Sequence, residues 1–198
     1  MIKKEWLAEL ITKQEYDPSI RDRGLKEETY LCTTRFTNET YAQNLLARKR
    51  LKKKCLYSNS TPLPLNIRQE APVFVLELNN SENKIVGIGL IRNIWQDTIY
   101  RIYENDCYNQ PYFEGSYHIH RDHIPPDQMP FIEALDNICF NGKSHLKRGH
   151  NMTRFPAKIL ELCNRKGFNI IEKIKDIMET HIKKRAQKNP NQQKNPNP

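Results

Sequence analysis

The sequence predicts an α+β domain with helical extensions at both ends. Two apolar runs of strand length, Val73 to Leu78 and Ile85 to Ile91, flank a short polar turn. Other stretches, 39–57 and 169–185, place apolar residues at helical spacing, and proline or glycine clusters punctuate the intervals. With 198 residues and 37% hydrophobic content, the chain can bury one ordinary core but not two.

In order along the chain, residues 3–14 carry Trp6, Leu7, Leu10 and Ile11 at helical spacing, followed by a linker with Pro18 and Gly24. Together they form an N-terminal extension over 1–28. The main domain spans 29–168 and opens with TYLCTTRF, whose β-formers predict a strand. Asn38 is the predicted N-cap of a helix through ETYAQNLLARKRLKKKCLY, with Tyr41, Leu45, Leu46 and Leu51 as its apolar face. A proline-containing loop leads to PVFVLELNN and NKIVGIGLIRNIW, a pair of buried strands around a turn at Asn79 to Asn83. Two more strands are expected in TIYRIYENDCYNQPYFEGSYHIHRD, separated by Asn109 to Pro111. HIPPDQMPF is too proline-rich for regular structure, and ALDNICF reads as a last strand. Pro156 starts a helix through AKILELCNRKG that Gly167 ends. A basic amphipathic helix occupies 169–186, and 187–198, with its repeated KNPN and no apolar residue, reads as a disordered tail.

Lysine and arginine number 32 against 23 acidic residues, a formal charge of +9, so the field of the molecule attracts polyanions. No apolar run is long enough to span a bilayer, and the N-terminus lacks the apolar stretch of a secretory signal. The five cysteines are widely spaced, without a CxxC pair, and read as reduced thiols in the cytoplasm or nucleus. Neither a cofactor nor a metal is called for.

Two clusters concentrate the charge. In ARKRLKKK, Arg48, Lys49, Arg50, Lys52, Lys53 and Lys54 crowd two helical turns. Like charges at this spacing oppose the helix unless a polyanion neutralises them, although a solvated face or a nuclear-import signal would read the same way. The second cluster, Lys143, His145, Lys147, Arg148, His150 and Arg154, lies in a loop with Gly142 and Gly149, where backbone can approach phosphate. GKS at Gly142 to Ser144 has no upstream glycine at P-loop spacing. Between the clusters, Tyr100, Tyr103 and Tyr108 are candidates to stack an unpaired base, against the alternative that strand aromatics face the core. His118, His120 and His123 read as structural or surface residues rather than a metal site. No catalytic motif is present, and the chain is expected not to be an enzyme.

The order of elements, with IVGIGLI carrying Gly87-Ile88-Gly89 and with SYHIHRDHIPP before a polar loop and closing helix, resembles the PUA-like superfamily, especially its YTH and EVE branches. The similarity covers about residues 29–168. It implies a partly closed β-barrel flanked by helices, and an exposed base of RNA or DNA held beside the sheet. YTH members cage N6-methyladenosine with aromatics. Here the tryptophan expected near Arg48 to Arg50 is missing, and Tyr100 or Tyr103 falls at a second cage position, so the resemblance implies RNA binding without methyl-adenosine reading. The lysine, asparagine and isoleucine bias and HLKRGHNMTRFP also resemble proteins of large DNA viruses.

The expected function is therefore binding of single-stranded RNA, ahead of DNA, through the basic helix and the Gly142 to Arg154 loop, with a tyrosine stacking a base. Two rivals use the same residues differently: an architectural protein that binds duplex DNA or packages a genome, and an interaction module that docks a protein through the terminal helices.

Overall fold

The structure is a computed structural model that describes residues 28–149 and 151–188. The N-terminal helix expected over 3–14, His150 and the tail beyond 188 lie outside the described residues.

Its centre is a five-stranded sheet in the order β6-β4-β3-β1-β7. The strands are β1 (Tyr30–Phe36), β3 (Pro72–Asn79), β4 (Lys84–Arg92), β6 (Tyr117–His120) and β7 (Thr153–Arg154). β1 runs parallel to β3, and the other neighbours are antiparallel. A separate two-stranded sheet pairs β2 (Cys55–Ser58) with β5 (Tyr112–Gly115). The helices are α1 (Asn38–Leu51), α2 (Met129–Phe140), α3 (Ala157–Arg165) and α4 (Ile170–Lys188).

The fold is mixed α+β, but the partly closed barrel is overturned. The five-stranded sheet ends in β6 on one side and the two-residue β7 on the other, and among the described residues no ladder joins these edges or links β2 and β5 to them. Both faces of the sheet are covered, so β3 is buried along its whole length. Phe74, Leu76 and Leu78 of β3 point with Ile88 and Leu90 of β4 towards α2 and α4, which contribute Ile132, Leu135, Ile174, Ile177 and Met178. Val73 and Val75 alternate to the opposite face and meet Tyr41, Ala47, Leu56, Tyr57 and Phe113 from α1 and the small sheet.

Four local expectations are corrected. ALDNICF is the body of α2, not a strand: Ile132, Leu135 and Cys139 are buried at i, i+3 and i+7, and Pro130 sits in the first turn, where its missing N–H costs no bond. The first helix is capped by Thr37 rather than Asn38, in a reciprocal box with Thr40, and ends at Leu51 because Lys52 turns left-handed (φ 55°). Cys55 to Tyr57, expected to be helical, belong to β2. Only 112–120 of the tyrosine-rich stretch forms strands. Residues 99–111 are irregular, apart from a short 3-10 turn at Asp106–Tyr108.

Two glycines of β4 face α1 beside a buried carboxylate. A Cβ on Gly87 would run into the Glu77 carboxylate and come within 2.7 Å of His118 Nε2, and one on Gly89 would strike the Tyr57 hydroxyl and lie 2.8 Å from Cys55 Sγ. These positions are small because polar side chains fill the space above them. Gly89→Ala is expected to lower stability by about 1–3 kcal/mol through overpacking, measured by urea unfolding. Substitution of the exposed Gly142 by Asn, which tolerates its positive φ, should cost far less.

Candidate functional site

Glu77 is fully buried on β3 and carries the central electrostatic arrangement. Its Oε1 accepts from Arg48 Nη2 of α1 and from the Tyr57 hydroxyl of β2, each at 2.7 Å. Oε2 lies 2.9 Å from His118 Nε2 on β6, and because an ionised carboxylate only accepts, that nitrogen carries the proton. Burial alone would raise the Glu77 pKa. The Arg48 charge, His118 and the two side-chain hydrogen bonds outweigh it and hold the carboxyl well below its ordinary range. Burial keeps the Tyr57 phenol protonated and able to donate.

This network takes Arg48 out of the surface cluster: it is buried and paired, with its guanidinium 5.3 Å from the Tyr57 ring centroid. Lys53 pairs with Glu114 at 2.9 Å, and Arg50 Nη2 donates to the Arg101 carbonyl. Lys49, Arg50, Lys52 and Lys54 remain exposed at the C-terminal end of α1. The buried face of α1 is Tyr41, Asn44, Ala47 and Arg48, while Leu45 and Leu46, expected inside, are 38% and 68% exposed.

At the other end of α1 lies a pocket of about 390 Å³. Its floor is the end of β1, Thr34 to Phe36, with Thr37 and Thr40 from the first turn of α1. One wall is the irregular segment bearing Tyr103, Cys107, Tyr108 and Gln110. Asn109 stiffens that segment: its Oδ1 accepts from the backbone N–H of Ile102 and of Tyr103, both at 2.8 Å, and its Nδ2 donates to the Tyr103 carbonyl at 2.9 Å. Ser58 Oγ of β2 donates to the Tyr108 carbonyl at 2.6 Å and accepts from Gln110 N at 2.9 Å. The opposite wall is Gly149 and Asn151, joined to Ser60 by Asn151 Nδ2 donating to Ser60 Oγ at 2.7 Å.

Of the tyrosines singled out by sequence, Tyr103 and Tyr108 meet at this pocket with ring centroids 6.1 Å apart, edge to face. Tyr103 is buried, its hydroxyl accepting from Asn44 Nδ2 at 3.1 Å, whereas Tyr108 is 51% exposed. Tyr100 lies away from the pocket, its ring 4.8 Å from that of Tyr112. In the second basic cluster, Lys147 and Arg148 immediately precede Gly149 of the pocket wall, and Lys143 is exposed further back in the same loop. Arg154 turns over the Tyr30 ring at 5.2 Å, on β7. Sequence reading missed Thr37, Thr40, Ser58, Ser60, Asn80 and Asn151. Small polar residues carry no periodic signal, and only the fold assembles them.

Among the described residues no three His, Cys, Asp or Glu side chains converge as a metal site, and no helix is long and apolar enough to cross a membrane. The thiols of Cys32, Cys55 and Cys139 are pushed up to about 12, foremost by burial, while Cys107 is exposed at the pocket.

Because the folded Glu77 pKa is depressed, the stability it contributes is fully present above the unfolded value of about 4.3 and lost as pH falls through the folded value. Glu77→Gln is expected to cost about 3–5 kcal/mol at pH 7 by leaving Arg48 uncompensated, and less at pH 3. Urea unfolding at both pH values checks this, and an equal cost at both would mean that the fold does not depress the Glu77 pKa.

The chain matches no protein-family model, no curated protein and no solved structure.

Proposed function

We propose that the protein binds single-stranded nucleic acid, RNA ahead of DNA, and seats one unpaired base in the pocket beside α1. The observation that carries this reading is that a half-exposed tyrosine face and a wall of hydroxyl and amide groups line one concavity, with the basic Lys147–Arg148 pair directly preceding its lining residue Gly149. A base is apolar on its face, polar on its edge and tied to a charged backbone, so it needs all three. The volume falls in the range of sites that enclose small organic groups. Duplex DNA offers no free base to such a pocket, and that favours a single strand over the architectural reading.

In this reading Tyr108 supplies the stacking face, and Tyr103 holds the wall behind it. Lys147 and Arg148 take phosphates on one side of the pocket. Lys49, Arg50, Lys52 and Lys54 take phosphates beyond the 101–110 segment, which the Arg50 bond to Arg101 ties to α1. Arg48 and Lys53 belong to the fold, through Glu77 and Glu114. The place of action is the cytoplasm or nucleus, where single-stranded RNA is found.

Binding of a fluorescent single-stranded RNA at two salt concentrations tests this. Tyr108→Ala is expected to cost about 1–3 kcal/mol at either salt, because stacking does not depend on counterions. Replacing Lys49, Lys52 and Lys54 together with Gln should instead reduce the salt slope by about 2, at about 0.7 per phosphate contact on a single strand. Normal binding by folded Tyr108→Ala, together with equal or tighter affinity for duplex DNA, would replace the pocket with the architectural reading.

A further inference from the structure

Arg35 follows five buried residues of β1 and is the one residue of the strand that is only half-buried. Its guanidinium fork spends all three nitrogens on a distant part of the chain. Nε donates to the Leu146 carbonyl at 2.7 Å, Nη1 to the Asn151 carbonyl at 3.0 Å and Nη2 to Thr153 Oγ1 at 2.9 Å. A fourth bond, Asn80 Nδ2 to the Lys147 carbonyl at 2.9 Å, falls inside the same bracket. The segment between these anchors holds Lys147, Arg148 and Gly149. Gly149 adopts φ +118°, and a Cβ built on it would sit 3.5 Å from the guanidinium carbon. The backbone there lies against Arg35, in a conformation that favours glycine.

We infer that Arg35 is a positioning residue that clamps the 146–153 segment to the end of β1, so that Lys147 and Arg148 are fixed at the rim of the base pocket. The inference rests on the proposed binding of single-stranded nucleic acid, and it assigns Arg35 a geometric task rather than a phosphate contact of its own. A guanidinium suits the task because its planar fork offers several donors in fixed directions, whereas an ammonium is a point charge. Without the clamp the two cations belong to a glycine-flanked loop and are displaced from the rim, so that their phosphate contacts are lost.

The test uses the full chain and three proteins: wild type, Arg35→Leu and Arg35→Lys, each with its thermal midpoint recorded. The first readout needs no ligand. Trypsin cuts after lysine and arginine, so cleavage after Lys147 and Arg148 reports how often the segment leaves the sheet. Both variants are expected to be cut there about tenfold faster or more, the scale set by losing charge-assisted hydrogen bonds. The second readout is the salt slope for a single-stranded RNA probe. It should fall by about 1.4 in both variants, at about 0.7 for each of the two displaced cations, while Tyr108→Ala still weakens binding in each background. A purely structural role would lower the thermal midpoint without altering the slope.

Unchanged cleavage in the variants would overturn the clamp. A wild-type slope in Arg35→Lys would overturn it too, because charge at that position would then suffice. Should Arg35→Leu fail to fold, Arg35→Lys alone decides both readouts. Absence of RNA binding by the wild type would remove the proposed function and this coupling with it, and the wild-type measurement distinguishes that failure from failure of the clamp.

Discussion

The arrangement around Glu77 is the constraint on which the rest of the structure depends. A carboxylate at the centre of β3, with no exposed surface, would be untenable alone, since an ionised group in a low-dielectric interior costs several kcal/mol. Its partners come from three other elements: Arg48 from α1, Tyr57 from β2 and His118 from β6. A fourth element gives way, because Gly87 and Gly89 of β4 leave the volume that these side chains fill. Three directional bonds of this kind fix how α1 and the small sheet sit on the main sheet, which apolar burial alone would leave freer. A buried ion pair contributes little net stability against a hydrophobic replacement, so its value here lies in that orientation.

The pocket inherits its shape from the network. With Arg48 turned inward, Asn44, one turn earlier on the same face, donates to both the Leu56 carbonyl and the Tyr103 hydroxyl. Those bonds hold the irregular 103–110 wall against the helix. Three residues further back, Tyr41 packs edge to face on Phe36, which places the first turn of α1 over the end of β1 and brings Thr37 and Thr40 to the pocket floor. The two walls are thus held by different means, one by a chain of polar contacts from Glu77 and the other by the fork of Arg35.

The strands with strong β composition, β1, β3 and β4, were legible in the sequence, as were the helices over 157–165 and from 170 onward, because continuous apolar runs and clean helical periodicity admit few alternatives. ALDNICF was misread because its apolar residues are contiguous as well as helically spaced, and only the tertiary structure decides which pattern counts. The face of α1 was misread for a deeper reason. Periodicity assumes that apolar residues go inside, yet Leu46 is exposed and Arg48 buried, since a charge on β3 outranks two leucines on a helix surface. The barrel came from resemblance in the order of elements, and order does not determine whether sheet edges meet. Of the pocket, composition pointed to Tyr103 and Tyr108 but also to Tyr100, which lies elsewhere, and not to the serine, threonine and asparagine side chains that complete it.

The division of labour among the cations follows from their chemistry. Arg35, Arg48 and Arg121 are bound to carbonyls or carboxylates inside the fold, the last to Asp136 at 2.9 Å. Lys49, Lys52, Lys54 and Lys143 stand in solvent. Guanidinium forks satisfy several acceptors with one side chain and tolerate burial, while ammonium groups are strongly hydrated and stay at the surface. Salt therefore acts on the two sets unequally: at a Debye length of about 8 Å in physiological salt, exposed lysines are screened and buried pairs much less so. If nucleic acid binds as proposed, raising the ionic strength should strip the lysine contribution and leave the architecture of the pocket intact. In that binding mode, what remains at high salt is the contribution of the tyrosine face and the polar wall, so discrimination between bases would come from there.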